Sequence, residues 1–170
     1  MRRYFSIIFA TICFCITACF TALRSIVYER ENGIFASSER VFTVVIDAGH
    51  GGMDGGVVGK RTGIKESDLN LGVSFALKDV FEDAGFFVVL TRKTQLGLSD
   101  DVGLWNKNAD MRKRREIIKN ANPDLVLSIH QNSLPSSTRV RGGQVFYKTD
   151  SLVGEKLAVL VQDAINFVYS

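Results

Sequence analysis

The sequence predicts an α/β fold, with a mostly parallel central sheet and helices on both faces. Two observations carry that prediction. Short continuous apolar runs such as VFTVVID and LVLSIH alternate with longer segments whose apolar residues recur at threes and fours. The chain's two histidines also stand at the ends of these runs, the edge of an open α/β sheet where ligands bind.

The elements follow in order. Tyr4 to Leu23 carries no charge and matches the roughly 20 residues that span a bilayer. Arg2 and Arg3 precede it, so residues 1–23 are expected to be a signal peptide or membrane anchor. The rest of the chain would then be extracytoplasmic. Ile16-Thr17-Ala18-Cys19 resembles a lipoprotein cleavage box, so a cleaved, lipidated leader and an uncleaved anchor both stand. Cys13, Cys15 and Cys19 are the only cysteines, which leaves the exported part without disulfides or thiolate ligands. Residues 24–40 are polar and mixed and read as a linker. Five of the 21 basic and three of the 18 acidic residues fall in the first 40, leaving 16 against 15. No basic surplus remains to attract nucleic acid.

A buried strand is expected at 41–47, ending in the glycine-rich loop Ala48 to Gly59. From Ser67 the pattern is helical, with Leu69, Val73, Ala76, Leu77, Val80 and Ala84 on one face and Gly85 as the stop. A second strand is expected at 86–91, then a polar loop with Trp105, then a helix over 110–120 ended by Pro123. The third strand is placed at 125–130, a fourth at 143–147 (GQVFY), and a last helix over 152–168.

His50 and His130 are the candidate site histidines, joined by Glu66 at the mouth of the first helix. An acidic residue there also suits the helix dipole, but the loop 51–65 is long enough to return Glu66 to His50. Two imidazoles and one carboxylate, with a fourth position open to water, form a common catalytic zinc set that acidifies a water and polarises a carbonyl. The loop DAGHGGMDGG is not a phosphate-binding P-loop, because Asp54 and Arg61 occupy positions that would need Gly and Ser or Thr. No serine or cysteine stands in a nucleophile elbow.

Val45 to Gly52, Gly63 to Glu66, Leu90-Thr91-Arg92 and Ser128 to Asn132 resemble the successive motifs of the zinc-dependent N-acetylmuramoyl-L-alanine amidases. Asp110 to Arg114, Ser128 to Ser133 and Gln144 to Tyr147 look most like the germination-specific CwlD branch of spore-forming bacteria. The resemblance covers about residues 41–168 and implies a zinc-hydrolase-like domain over 41–170. It implies a zinc ion on His50, Glu66 and His130. The implied reaction is hydrolysis of the amide joining the lactyl group of N-acetylmuramic acid to L-alanine in peptidoglycan. In the germination branch this prepares muramic-δ-lactam in the spore cortex, and some relatives depend on a lipoprotein partner.

The family pattern continues with a further strand bearing a Val-Glu-x-Gly-Phe-like motif, whose Glu serves as general base and acid. The last glutamate here is Glu155, at the start of a helix. The expectation is therefore a domain incomplete at its C-terminus, its catalytic residue unassigned. The alternative function is a zinc- or glycan-binding remnant that does not cut. Asp47, just before the Gly49-His50 turn, is expected to orient a ligand imidazole. Arg112-Lys113-Arg114-Arg115 point around most of a helix circumference, which predicts a mainly solvated face. For Asn132, substrate contact and capping of its own loop both stand.

Overall fold

A computed structural model of the chain describes residues 41–99, 106–133 and 142–169. The expected leader at 1–23, the linker at 24–40 and the loop around Trp105 lie outside the described residues. The described residues divide into two compact units, one within 41–133 and the other within 142–169.

In the first unit, β1 (Thr43–Ala48), α1 (Glu66–Asp83), β2 (Phe87–Leu90), α2 (Lys107–Ala121) and β3 (Leu125–Ile129) follow one another. The strands form one parallel sheet in the order β2-β1-β3. The β-branched run Thr43 to Ile46 suits a central strand, and Val44, Val45 and Ile46 are fully buried. Each such side chain contributes about 1.5–3 kcal/mol on leaving water. Asp124 pins the start of β3, accepting the Thr43 N–H at 2.9 Å while its own N–H donates to the Thr43 carbonyl at 2.9 Å. Phe42, Phe81 and Phe86 stack edge to face at the same end of the strands, on the β2 side.

The connection β1-α1-β2 moves one way across the sheet and β2-α2-β3 moves back past β1. Right-handed crossovers then put α1 and α2 on opposite faces, which is the α/β arrangement expected. The reversal leaves a crevice outside the C-terminal ends of β1 and β3, where the site lies.

Helix ends follow local chemistry. Asn106 caps α2, its side chain accepting the Ala109 N–H at 3.1 Å, and Asn122 closes the helix at φ 43°. Gly85, at φ 87°, follows the C-cap residue Ala84 in the left-handed conformation that stops a helix. The buried face of α1 differs from the apolar face expected. Leu69 is 47% exposed, whereas Ser67, Asn70 and Ser74 are fully buried beside Leu71 and Phe81. The reason is tertiary: the start of this helix faces the polar loop after β1, where Asn70 and the Ser67 N–H donate to the Gly49 and Gly55 carbonyls, while Ser74 Oγ donates back to the Asn70 carbonyl.

In the second unit, α3 (Leu152–Tyr169) buries Leu157, Ala158 and Ala164 and exposes Val153, Leu160 and Phe167. The strand expected at 143–147 does not form; the segment is irregular. One side chain replaces a ladder partner there. The Gln162 amide accepts the Val145 N–H at 2.9 Å and donates to the Gly143 carbonyl at 3.0 Å. No helix among the described residues is long and apolar enough to cross a membrane.

Candidate metal centre

β1 delivers His50 two residues past its end, and β3 delivers His130 one residue past its own. Gly49 extends the β1–β3 pairing by donating its N–H to the Ile129 carbonyl at 3.0 Å. That contact sets the two imidazoles edge to face, 4.9 Å apart between centroids. Glu66 enters from the first residue of α1, brought back by the 51–65 loop. Its N–H donates to the Val57 carbonyl at 2.7 Å.

Glu66 Oε1 lies 3.3 Å from His50 Nε2 and 3.1 Å from His130 Nδ1. One donor atom from each of the three residues falls within 4.8 Å of the others, so the group can hold a metal ion. Tetrahedral bonds of about 2.0–2.1 Å separate neighbouring donors by ~3.3 Å, which the two measured spacings match. The Glu66 side chain is 5% exposed and that of His130 43%, so the carboxylate forms the floor and the His130 side is open to solvent.

A buried carboxylate needs donors, and Glu66 has them. Oε2 accepts the Val57 N–H at 3.0 Å and Oε1 accepts the Gln131 N–H at 2.9 Å. Burial alone would raise its pKa, but these two N–H groups, with His130 and His50, hold it below the usual carboxylate range. Glu66 is thus the first residue of a helix, as its position suggested, yet it spends its carboxylate on other segments.

Two buried arginines fix the loop carrying His50. Arg92 donates to the carbonyls of Ala48, Gly49, Ser67 and Thr94 at 2.8–3.1 Å. Arg114 donates to the Ala48 carbonyl at 2.8 Å, to the His50 carbonyl at 2.6 Å and to the carboxylates of Asp47 and Asp110 at 2.6 Å. Burial lowers the pKa of Arg92, with Arg114 nearby adding to it. Burial opposes the charge on Arg114 too, but Asp110 and Asp47 raise its pKa on balance. Asn70 adds a donor to the Gly49 carbonyl at 3.1 Å. His50 itself sits at φ 61°, a left-handed conformation uncommon for a residue with a side chain.

Two expectations are corrected here. The 112–115 cluster is not a mainly solvated face as a whole: Arg114 is 4% exposed, because two carboxylates and two carbonyls surround its guanidinium. Asp47 does not orient an imidazole. It accepts from Thr91 Oγ1 at 2.7 Å, Ser128 Oγ at 2.9 Å and Arg114 at 2.6 Å. Burial pushes its pKa up, but Thr91, Arg114 and Ser128 bring it below the usual range. Besides Glu66, the carboxylate that meets an imidazole is Asp54, whose Oδ1 lies 2.9 Å from His50 Nδ1. The sequence held a signal for Asp54, an acidic residue four positions beyond a candidate ligand in a glycine loop. Asn132 is exposed.

A cavity of about 150 Å³ opens beside the two histidines, bounded by Asp54, Lys107, Met111 and Ser128. The glycines of the loop are needed for this closeness. A Cβ on Gly49 would come within 2.4 Å of the His130 ring, and one on Gly56 (φ +65°) within 2.7 Å of Glu66 Oε2 and 2.8 Å of the His50 ring.

Residues 44–168 match the family model described as N-acetylmuramoyl-L-alanine amidase. Over 125 residues the chain is 34% identical to the germination-specific N-acetylmuramoyl-L-alanine amidase of Bacillus subtilis (strain 168), covering 72% of this chain and 52% of that protein. The chain thus spans about half the length of that curated relative. Its fold is similar to that of the CwlD amidase from Clostridioides difficile, solved in complex with the GerS lipoprotein. That match has a TM-score of 0.59 at 33% identity, over 65% of this chain and 57% of that one. An N-acetylmuramoyl-L-alanine amidase from Clostridium difficile 630 matches with a TM-score of 0.54 at 26% identity, over 66% and 55% of the two chains. With this sheet, this loop and this His-Glu-His group, the chain belongs to the N-acetylmuramoyl-L-alanine amidase family.

Proposed function

We propose that the protein is a zinc-dependent N-acetylmuramoyl-L-alanine amidase that cuts the amide between N-acetylmuramic acid and L-alanine in peptidoglycan. The observation that carries this reading is the convergence of His50, Glu66 and His130 at the sheet's crevice in a chain of this family. The donor set suits zinc: two imidazoles and one carboxylate, with no thiolate among the described residues. When bound, zinc would supply Lewis acidity toward the scissile carbonyl and a more acidic water.

The chain's own residues provide the rest. Glu66 enters the site already ionised and held by two main-chain donors. Arg92 and Arg114 fix the loop so that little reorganisation accompanies binding. The open side at His130 and the adjoining cavity give the substrate its approach.

The similarity to the germination-specific relative supports a role in spore cortex maturation or germination. The lipoprotein in the CwlD complex supports a lipoprotein partner here. Residues 1–23 would serve as leader or anchor and 24–40 as linker, with 41–170 as catalytic domain in the cell envelope.

One observation favours a second reading, a zinc- or glycan-binding protein that does not cut. The carboxylates bounding the cavity are already engaged: Asp47 and Asp110 with Arg114, Asp54 with His50. Metal analysis of the purified chain, with release of new L-alanine amino termini from peptidoglycan, separates the readings. One zinc with new termini supports the amidase, and one zinc without them supports the binding protein. No zinc in the wild type, or unchanged zinc in a His50→Ala/His130→Ala variant, sinks the amidase and zinc-binding readings and leaves glycan binding alone.

A further inference from the structure

We propose that Asp54 is a positioning residue for the metal centre, fixing the tautomer and ring angle of His50 so that Nε2 faces the ion. This rests on the zinc reading above. The two nitrogens of an imidazole point away from each other, and the structure assigns them opposite partners. Nε2 of His50 faces Glu66 Oε1 at 3.3 Å, while Nδ1 faces Asp54 Oδ1 at 2.9 Å. Asp54 therefore stands on the far side of the ring from the ion. There it accepts the Nδ1–H and leaves the Nε2 lone pair for the metal, raising its basicity.

Asp54 is itself held. Its N–H and carbonyl pair with the carbonyl and N–H of Gly51 at 3.0 and 2.8 Å, and its Oδ1 also accepts the Gly56 N–H at 3.2 Å. This tight turn presents the carboxylate to a ring four residues earlier. His50 lies beyond the end of β1 with its main chain in the left-handed region, and Asp54 holds its ring from the Nδ1 side. Both rings also pack on loop glycines, His130 over Gly49 and His50 over Gly56.

The test measures zinc affinity of the full chain by chelator competition, for wild type, Asp54→Ala and Asp54→Asn. Removing such an outer partner weakens metal binding about 10–100-fold, and that loss is expected for Asp54→Ala. Asparagine keeps an oxygen that accepts from Nδ1–H, so Asp54→Asn should fall between the other two. Proton NMR of the zinc-loaded wild type should show an exchange-protected His50 Nδ1–H that Asp54→Ala lacks. This signal keeps the idea testable through the wild type and Asp54→Asn if the alanine variant folds poorly. Zinc affinity of Asp54→Ala within twofold of wild type, or no protected Nδ1–H in the wild type, overturns the positioning role and leaves the zinc reading intact. A wild-type chain that takes up no zinc overturns both.

Discussion

Arg114 donates from Nη2 to the carbonyl of His50 at 2.6 Å, so a residue in the middle of α2 fixes the main chain of a candidate metal ligand 64 residues earlier. The same guanidinium is paired with Asp47 at the end of β1 and Asp110 one helical turn before it. One buried side chain thereby joins a helix, a strand and the site.

Arg114→Ala should therefore cost both stability and metal binding. Removing one partner of a buried ionic network costs about 3–5 kcal/mol, and here two carboxylates would lose their cation. Urea denaturation should show the loss, with zinc affinity falling alongside it. Arg112→Ala and Arg115→Ala, at exposed positions of the same helix, should change stability by no more than about 0.5 kcal/mol. Similar effects at all three positions would contradict the geometry.

Two glycine-to-alanine changes should move in opposite directions. At Gly49 the new Cβ would sit 2.4 Å from the His130 ring and 2.7 Å from the Ile129 carbonyl. The ring must swing away from Glu66, and zinc affinity should fall at least about tenfold. At Gly72, exposed on α1, nothing lies within 4 Å of a new Cβ. Alanine there should stabilise by roughly 0.5–1 kcal/mol. Wild-type zinc affinity in Gly49→Ala would remove His130 from the ligand set.

Stability should fall on the acid side through Asp47. Its folded-state pKa lies below the usual carboxylate value because Thr91, Arg114 and Ser128 outweigh its burial. A depressed pKa contributes stability that is fully present above the unfolded value, about 3.9 for Asp. The contribution is lost as pH falls through the lower folded value. Urea midpoints of wild type and Asp47→Asn should differ most above pH 5 and converge toward pH 3. A constant gap across that range would show that Asp47 does not titrate as placed.

Some of this was legible in the sequence because it depends on neighbours along the chain. Continuous apolar runs placed β1, β2 and β3 within about two residues, and Gly85 and Pro123 marked where helices end. His50 and His130 could be read as strand-end residues, and Glu66 as their companion, since a run of apolar residues fixes where a strand stops. The three candidate residues thus come from the sequence, and they lie together in the structure as a group that could hold a metal ion.

Partners distant in sequence were decided only by tertiary structure. A basic run on a helix looks solvated until a strand end and the turn after it supply Asp47 and two carbonyls, which bury Arg114. Asp47 lay close to His50 in sequence, but successive strand residues point to opposite faces, and its carboxylate turned toward Arg114. Asp54 reached the ring instead because a turn at Gly51 folds the loop back. The apolar run at 143–147 promised a strand, yet a strand exists only where a second backbone offers its hydrogen bonds, and here the Gln162 side chain took that place. Periodicity along one chain sets what each segment can become, while the donors and acceptors brought against it in space select what it is.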